Sequence, residues 1–287
     1  MMDYQLFKQI IEKRLKEELP PIFSDYEIRT MPVKKVNEDK DAITLVPPKD
    51  TRVIAVPTLY MDEMYAHFRE CEDLDAILCE MINIFVNYTG FNLPVAADFD
   101  FNDKTGRLVM NLISTELNEE LLETVPHTEY LDMSIVYRFI ISEDESGFGT
   151  VLLTNDLVQE LSLDMEEVNQ TAYENTKHLF PAVITRAFDN FYIMTNTHIL
   201  NGATTVVYSE YLEELAEKIG SDYYVIPGSI HEIYAVPAHL HKVESLLKML
   251  KEGNYGYAEK KEVLSGSIYL YSREKKALEI AGTYSMI

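Results

Sequence analysis

LDMSIVYRFIISEDESGFGTVLLT, residues 131–154, is the stretch that decides the fold class. Its first half alternates apolar and polar residues, which is the period of a half-buried β-strand. The apolar positions are Met133, Ile135, Tyr137, Phe139 and Ile141, with Ser134 and Arg138 between them. Glu143–Gly147 supplies turn residues before a second β-rich run at Thr150–Leu153. The pattern predicts an antiparallel β-hairpin.

A second hairpin is predicted at residues 223–237, YYVIPGSIHEIYAVP, where two β-rich runs flank Pro227-Gly228-Ser229. Amphipathic segments surround both hairpins, but strands and helices do not alternate strictly, which argues against a doubly wound parallel sheet. We therefore predict an α+β fold with antiparallel β-hairpins and sheets packed by amphipathic helices. The hairpin cores are expected to bury Ile135, Tyr137, Phe139, Val225 and Val236.

The other elements are predicted from the periodicity of apolar residues and from residues that typically begin or end helices. Helices are predicted at 3–18, 59–70, 74–88, 118–122, 164–177, 210–219 and 239–251, and further strands at 26–30, 43–46, 53–56, 191–195 and 267–271. Asp73 is expected to cap one helix, Ser162 with Glu166 to begin another, and Gly220 to end a third. Gly90 and Pro94 suggest α+β regions over 1–90 and 91–287, with one continuous domain as the alternative.

Composition excludes several classes of protein. A net charge of −23 over 287 residues argues against direct binding of nucleic acid, which needs clustered Lys and Arg. The 47% hydrophobic content excludes a disordered chain, and no apolar run reaches the roughly 18 residues of a membrane span. The charged first residues lack the apolar core of a signal peptide, so a cytoplasmic location is expected. Cys71 and Cys79 are too few for a disulfide framework and are predicted to be buried or half-buried thiols.

The negative charge is unevenly distributed. Residues 242–287 contain eight Lys or Arg and six Glu, so the preceding 241 residues carry a net −25. The acidic residues concentrate in 62–80, 116–123 and 143–145. They form either solvated helix faces that maintain solubility or an anionic surface for a basic protein partner.

Sequence signatures of cofactor chemistry are missing. The chain has no Gly-Lys dipeptide, no G-x-G-x-x-G and no C-x-x-C, so neither a nucleotide nor a thiolate zinc site is predicted. His239 and His241, with Glu244 nearby, offer too few ligands for a metal site at an exposed helix start. We therefore predict no cofactor, no metal and no catalytic residue.

The densest group of polar residues falls at strand ends and turns near the C-terminus. Asn196, Asn201, Ser229, His231 and Glu232 are expected to meet at one edge of the last sheet. Most of them are expected to hold that edge together through hydrogen bonds to the backbone. In the alternative, Ser229, His231 and Glu232 line a ligand cleft or act in general acid–base chemistry.

The chain also resembles a known family over most of its length. The segments PTLYMDEMY (57–65), LDMSIVYRFI (131–140), ENTKHLFP (174–181), LNGATTVVY (200–208) and GSIHEIYAVPA (228–238) are similar to an uncharacterised domain-of-unknown-function family of anaerobic gut bacteria. The resemblance implies a bacterial protein associated with mobile elements and supplies no reaction or active site.

Three functional hypotheses follow. The first is a non-enzymatic acidic binding or accessory protein that acts on a basic protein partner. The second is a small-molecule-binding or hydrolytic enzyme centred on the Ser229–Glu232 turn. The third is a structural or regulatory homo-oligomer, which the 19 tyrosines and the strand edges favour.

Overall fold

Antiparallel strand pairs and amphipathic helices build the protein, which is described here from a computed structural model covering residues 2–48, 58–90, 107–144 and 147–286. Every strand pairing within those ranges is antiparallel, which confirms the predicted α+β class. The chain divides into two compact units, Met1–Asp103 and Lys104–Ile287. The boundary predicted near residue 90 adjoins residues 91–106, which lie outside the described ranges, and it stays a prediction.

The N-terminal unit combines three helices with a three-stranded sheet of order β1-β2-β3 in its described residues. Its elements are α1 (Tyr4–Glu18), β1 (Glu27–Lys35), β2 (Glu38–Val46), β3 (Thr58–Tyr60), α2 (Met61–Cys71) and α3 (Leu74–Gly90). Phe7, Ile11 and Leu15 recur at helical spacing along α1 and are fully buried in the core of this unit. The side chain of Asp73 accepts hydrogen bonds from two backbone N–H groups of α3, as predicted for its N-cap.

The C-terminal unit contains the two predicted hairpins. Its strands are β4 (Leu108–Ser114), β5 (His127–Tyr130), β6 (Met133–Asp144), β7 (Gly147–Leu152), β8 (Ala182–Phe188), β9 (Phe191–Asn196), β10 (Tyr223–Pro227), β11 (Ile233–Pro237), β12 (Ser267–Ser272) and β13 (Ala277–Thr283). Its helices are α4 (Glu119–Leu122), α5 (Asn155–Glu160), α6 (Met165–Leu179), α7 (Ser209–Ile219) and α8 (Val243–Gly256), with 3-10 turns at Gly202–Val207, Ala238–Leu240 and Lys260–Glu262.

These strands form two sheets in the described part of the unit. One has the order β13-β12-β10-β11-β9-β8, and in the other β6 pairs with β4, β5 and β7. The hairpins β6–β7 and β10–β11 are both present, and the five residues predicted for their cores are all buried. The half-buried strand predicted from the alternation is wrong, however, because Ser134, Val136 and Ile140 are buried as well and β6 is covered on both faces.

Several local predictions were wrong or incomplete. Asp164, rather than Ser162, caps α6 and accepts from the N–H groups of Glu166 and Glu167. Cys71 and Cys79 are exposed free thiols, because the buried faces of α2 and α3 are formed by other residues. The helix predicted over 239–251 begins at Val243, after a separate 3-10 turn. The strand predicted at 53–56 lies outside the described residues.

Side chains from other elements cover the free edge of β4. The backbone N–H of Met110 donates to Thr176 Oγ1 of α6 at 2.8 Å, and that of Leu112 donates to Thr204 Oγ1 at 3.1 Å. Asn175 donates to the carbonyl of Leu108 at 3.1 Å. An edge strand with unpaired backbone groups can pair with a strand of another chain. Here the side-chain hydroxyl and amide groups form hydrogen bonds with the backbone of β4 in place of such a strand.

Asp132, in the turn between β5 and β6, connects the two sheets. Its carboxylate accepts hydrogen bonds from Ser265 (3.0 Å), Ser267 (2.7 Å) and Tyr269 (2.5 Å). All three hydroxyl-bearing residues are buried. Burial, reinforced by the charge of Asp132, raises the pKa of Tyr269 well above its ordinary value, so the phenol remains a donor.

We predict that Asp132→Asn lowers the free energy of unfolding by about 1.5–3 kcal/mol, because an amide cannot accept all three hydroxyl donors. Urea-induced unfolding followed by circular dichroism measures the change. Asp156→Asn, an exposed position in α5, is the matched control and should stay within about 0.5 kcal/mol of the wild type. Equal midpoints for the two variants would contradict the connecting role of Asp132.

Candidate functional site

The turn between β10 and β11 is closed by backbone hydrogen bonds. The N–H groups of Gly228 and Ser229 both donate to the carbonyl of Glu232, at 3.0 and 3.2 Å. Gly228 has no room for a side chain, since a Cβ there would lie 2.7 Å from the Tyr234 ring and 2.9 Å from Glu232 Oε1. Glycine at this position therefore allows the Glu232 carboxylate to fold back over the turn.

Two hydroxyl groups hold one oxygen of that carboxylate. Ser229 Oγ and Tyr234 Oη each donate to Glu232 Oε1 at 3.2 Å. Glu232 Oε2 has no hydrogen-bond partner among the described residues. Burial and the neighbouring carboxylate raise the pKa of Tyr234 to about 12, so its phenol is a donor at neutral pH.

His231 has a fixed ring orientation. Its Nδ1 accepts the backbone N–H of Asn201 at 3.1 Å, and its Nε2 lies 3.6 Å from Glu262 Oε1. A backbone N–H can only donate, so Nδ1 carries the lone pair and the proton of the neutral ring is on Nε2, facing Glu262. The imidazole is therefore positioned by the fold and presents a donor to a carboxylate.

The two asparagines of the predicted cluster serve the loop after β9. Asn196 is 3% exposed, donates to the carbonyl of Leu200 at 2.7 Å, and accepts the N–H groups of His198 and Leu200. Asn201 adopts a left-handed conformation with φ of 51°, which asparagine tolerates better than most residues. Both line a void of about 30 Å³, which is large enough to hold a water molecule.

Gly202 brings the two halves of the cluster together. A Cβ at this position would lie 2.2 Å from Thr195 Oγ1, 2.4 Å from the carbonyl of His231 and 2.8 Å from the backbone nitrogen of Asn196. The same threonine hydroxyl donates to that carbonyl at 2.7 Å. The absence of a side chain at residue 202 thus lets the 3-10 segment pack directly against the turn.

Ser229, His231 and Glu232 line a cleft of about 510 Å³, a volume within the range of ligand sites, roughly 300–1,000 Å³. Apolar groups form most of the remaining wall: Phe191, Ile199, Ile226, Tyr234, Met249, Leu250 and Tyr257. Glu262 and Asn254 complete the polar lining. Sequence reasoning missed these two, because Glu262 comes from a 3-10 turn thirty residues away and no local pattern connects it to the hairpin.

The Ser229 hydroxyl and the His231 ring make separate hydrogen bonds. Ser229 Oγ accepts the backbone N–H of His231 at 3.0 Å and donates to Glu232, whereas the His231 ring contacts Asn201 and Glu262. The imidazole is not placed as a base for the Ser229 hydroxyl, which donates to the Glu232 carboxylate instead. The arrangement presents carboxylates to the cleft, and the roles of the five cluster residues stay predictions.

The described ranges contain neither a cluster of metal ligands nor a membrane-spanning helix. There, no group of three or more His, Cys, Asp or Glu is placed to hold a metal ion, and His239, His241 and Glu244 are exposed. Within the same ranges, none of the helices has the length and hydropathy needed to cross a bilayer.

Comparison with known protein families identifies the family of this chain. Residues 4–191 and residues 185–273 match DUF5688, a family of unknown function. The chain belongs to this family. No curated protein and no solved structure matches it.

We predict that His231→Ala in this DUF5688 protein lowers the free energy of unfolding by about 1–3 kcal/mol, because the N–H of Asn201 loses its acceptor. His231→Asn places an amide oxygen near the position of Nδ1 and should recover most of that loss. His231→Gln reaches toward Glu262 instead and should not. Urea-induced unfolding of the three variants measures this, and equal losses for Asn and Gln would refute the positioning role of Nδ1.

The raised pKa of Tyr234 predicts a loss of stability in alkali. Between pH 10 and about 12 the unfolded tyrosine has released its proton and the folded one has kept it, so the unfolded state binds fewer protons and stability falls as pH rises. Tyr234→Phe of this DUF5688 protein should show a shallower loss above pH 10. Urea unfolding at intervals from pH 8 to pH 11 measures the slopes. Tyr257→Phe, at a ring that is 91% exposed, is the control and should follow the wild type.

Proposed function

We propose that this protein is a non-enzymatic binding protein and that its partner is a basic protein. The observation that carries the proposal is the charge of the cleft in the C-terminal unit. Glu232 and Glu262 contribute carboxylates to its wall, and none of the residues that line it in the described structure is Lys or Arg. A concave site of one sign of charge concentrates the opposite sign.

The charge of the whole chain supports the same partner. A net charge of −23 steers a basic protein toward the surface and opposes the approach of nucleic acid. The cytoplasmic location, the bacterial origin and the accessory role in mobile elements that the resemblance implies are part of this proposal.

The hydrogen bonds of Ser229 argue for binding rather than hydrolysis in this proposal. Its hydroxyl donates to Glu232 Oε1, and the same oxygen accepts from Tyr234. These contacts hold the carboxylate of Glu232, which lines the cleft, in one orientation. A fixed carboxylate suits recognition, because little side-chain freedom is lost when a cation binds.

A capture experiment from the native host tests the proposal. The tagged full chain is compared with Glu232→Gln/Glu262→Gln at about 0.05 M and about 0.5 M salt. We expect a basic protein that is retained at low salt, released at high salt and lost with the double variant. Binding of the purified partner should follow the same pattern.

The matched control is Glu129→Gln/Glu274→Gln, which removes the same charge from two exposed positions outside the cleft. Capture should survive in this control. Capture that is equal in the two double variants would contradict the proposal. A small molecule found by mass spectrometry in protein from the native host, without a protein partner, would support the small-molecule alternative. Self-association as the only interaction would support the homo-oligomer.

A further inference from the structure

We propose that the cleft beside the Ser229–Glu232 turn takes an arginine side chain of the partner together with an adjacent apolar residue. This inference rests on the proposed function and names the chemistry that the same site recognises. Three features of the cleft support it: two carboxylates without a Lys or Arg partner in the described chain, a row of aromatic rings and exposed apolar side chains.

The first feature is the pair of carboxylates. Glu232 is held by two hydroxyl donors on Oε1, and Oε2 has no hydrogen-bond partner in the described structure. Glu262 is anchored through its carbonyl, which accepts the N–H of Ile230 at 2.8 Å, and its carboxylate lies 3.6 Å from His231 Nε2. Neither glutamate pairs with a Lys or Arg of the described chain. Both glutamates line the same cleft, and two carboxylates suit a cation with several donors.

The second feature is a row of aromatic rings that leads from the cleft to the surface. Tyr234 lies 5.3 Å from Phe191, and Phe191 stacks on Phe188 at 4.8 Å between ring centroids. Phe188 is 65% exposed. A guanidinium group stacks on aromatic faces and forms forked hydrogen bonds to carboxylates, whereas an ammonium is a compact and strongly hydrated charge. The combination of rings and two carboxylates therefore favours arginine over lysine.

The third feature is apolar surface at the mouth of the cleft. Ile199 is 66% exposed, Met249 44% and Tyr257 91%, and all three line the cleft. Neighbouring exposed apolar groups of this size typically mark an interaction site. A cleft of about 510 Å³ is larger than one side chain, so space remains for an apolar neighbour of the arginine.

Peptide binding by the purified full chain tests the inference. The probe is the capped pentapeptide Ala-Leu-Arg-Leu-Ala, and isothermal titration calorimetry compares it with peptides that carry lysine, citrulline or serine substitutions. Citrulline keeps the shape of arginine without its charge. We expect the arginine peptide to bind at least about tenfold more tightly than the citrulline peptide, because charged hydrogen bonds are lost. Lysine for arginine, or serine for both leucines, should weaken binding severalfold.

The protein variants locate the site. Glu232→Gln/Glu262→Gln should weaken binding of the arginine peptide at least about tenfold, whereas Glu129→Gln/Glu274→Gln should bind like the wild type. A urea unfolding curve for each variant verifies that it is folded, and glutamine at residue 232 retains an acceptor for Ser229 and Tyr234. Equal affinity for arginine and citrulline, or for arginine and lysine, would overturn the inference. Free arginine that binds as tightly as the peptide would overturn the role of the apolar neighbour.

The two proposals fail in different ways. If a basic protein is captured through Glu232 and Glu262 but the arginine peptide neither binds nor competes, the inference is wrong and the proposed function stands. If the arginine peptide binds at these glutamates but no basic protein is captured, the ligand chemistry stands and the proposed function is wrong.

Discussion

The close packing of the segment Gly202–Val207 is the constraint on which the C-terminal unit depends. Thr204 Oγ1 accepts the N–H of Leu112 in β4, and the N–H of Ala203 donates to the carbonyl of Ile230 in the hairpin turn. One short buried segment therefore bonds to both sheets. Only a residue without a Cβ fits at 202, because three atoms lie within 2.8 Å of where that carbon would be.

The position of the cleft follows from that packing. Asn201 directly precedes the packed 3-10 segment, and its backbone N–H donates to Nδ1 of His231. This hydrogen bond orients the imidazole so that Nε2 faces Glu262. Glu232 is fixed separately, by Ser229 and Tyr234. Neutral hydroxyl donors stabilise a carboxylate without cancelling its charge, unlike an internal salt bridge. The site thus keeps its negative charge for an external cation.

The sequence predicted those parts of the fold that are decided by local patterns. Alternation along β6 and the Pro-Gly-Ser turn identified both hairpins. Polar residues at strand ends singled out Ser229, His231 and Glu232, which line the cleft, and their role stays a prediction. The sequence did not reveal Glu262 or the aromatic row, because these meet the turn only through tertiary packing. The exposed Cys71 and Cys79 were misjudged because thiols are commonly buried, while here bulkier residues fill the helix faces.

The five predicted polar residues divide into two groups by what their side chains contact. The side-chain amide of Asn196 forms hydrogen bonds with the backbone of the loop that follows β9, and the residue is buried. Ser229, His231 and Glu232 face the cleft and are tied to that loop by one hydrogen bond, from Asn201 to His231. Because its donor is a backbone N–H, the orientation of the imidazole depends on the loop rather than on a ligand. A cation that enters the cleft therefore meets groups that the fold has already ordered, and the entropy of ordering them is lost in folding rather than in binding.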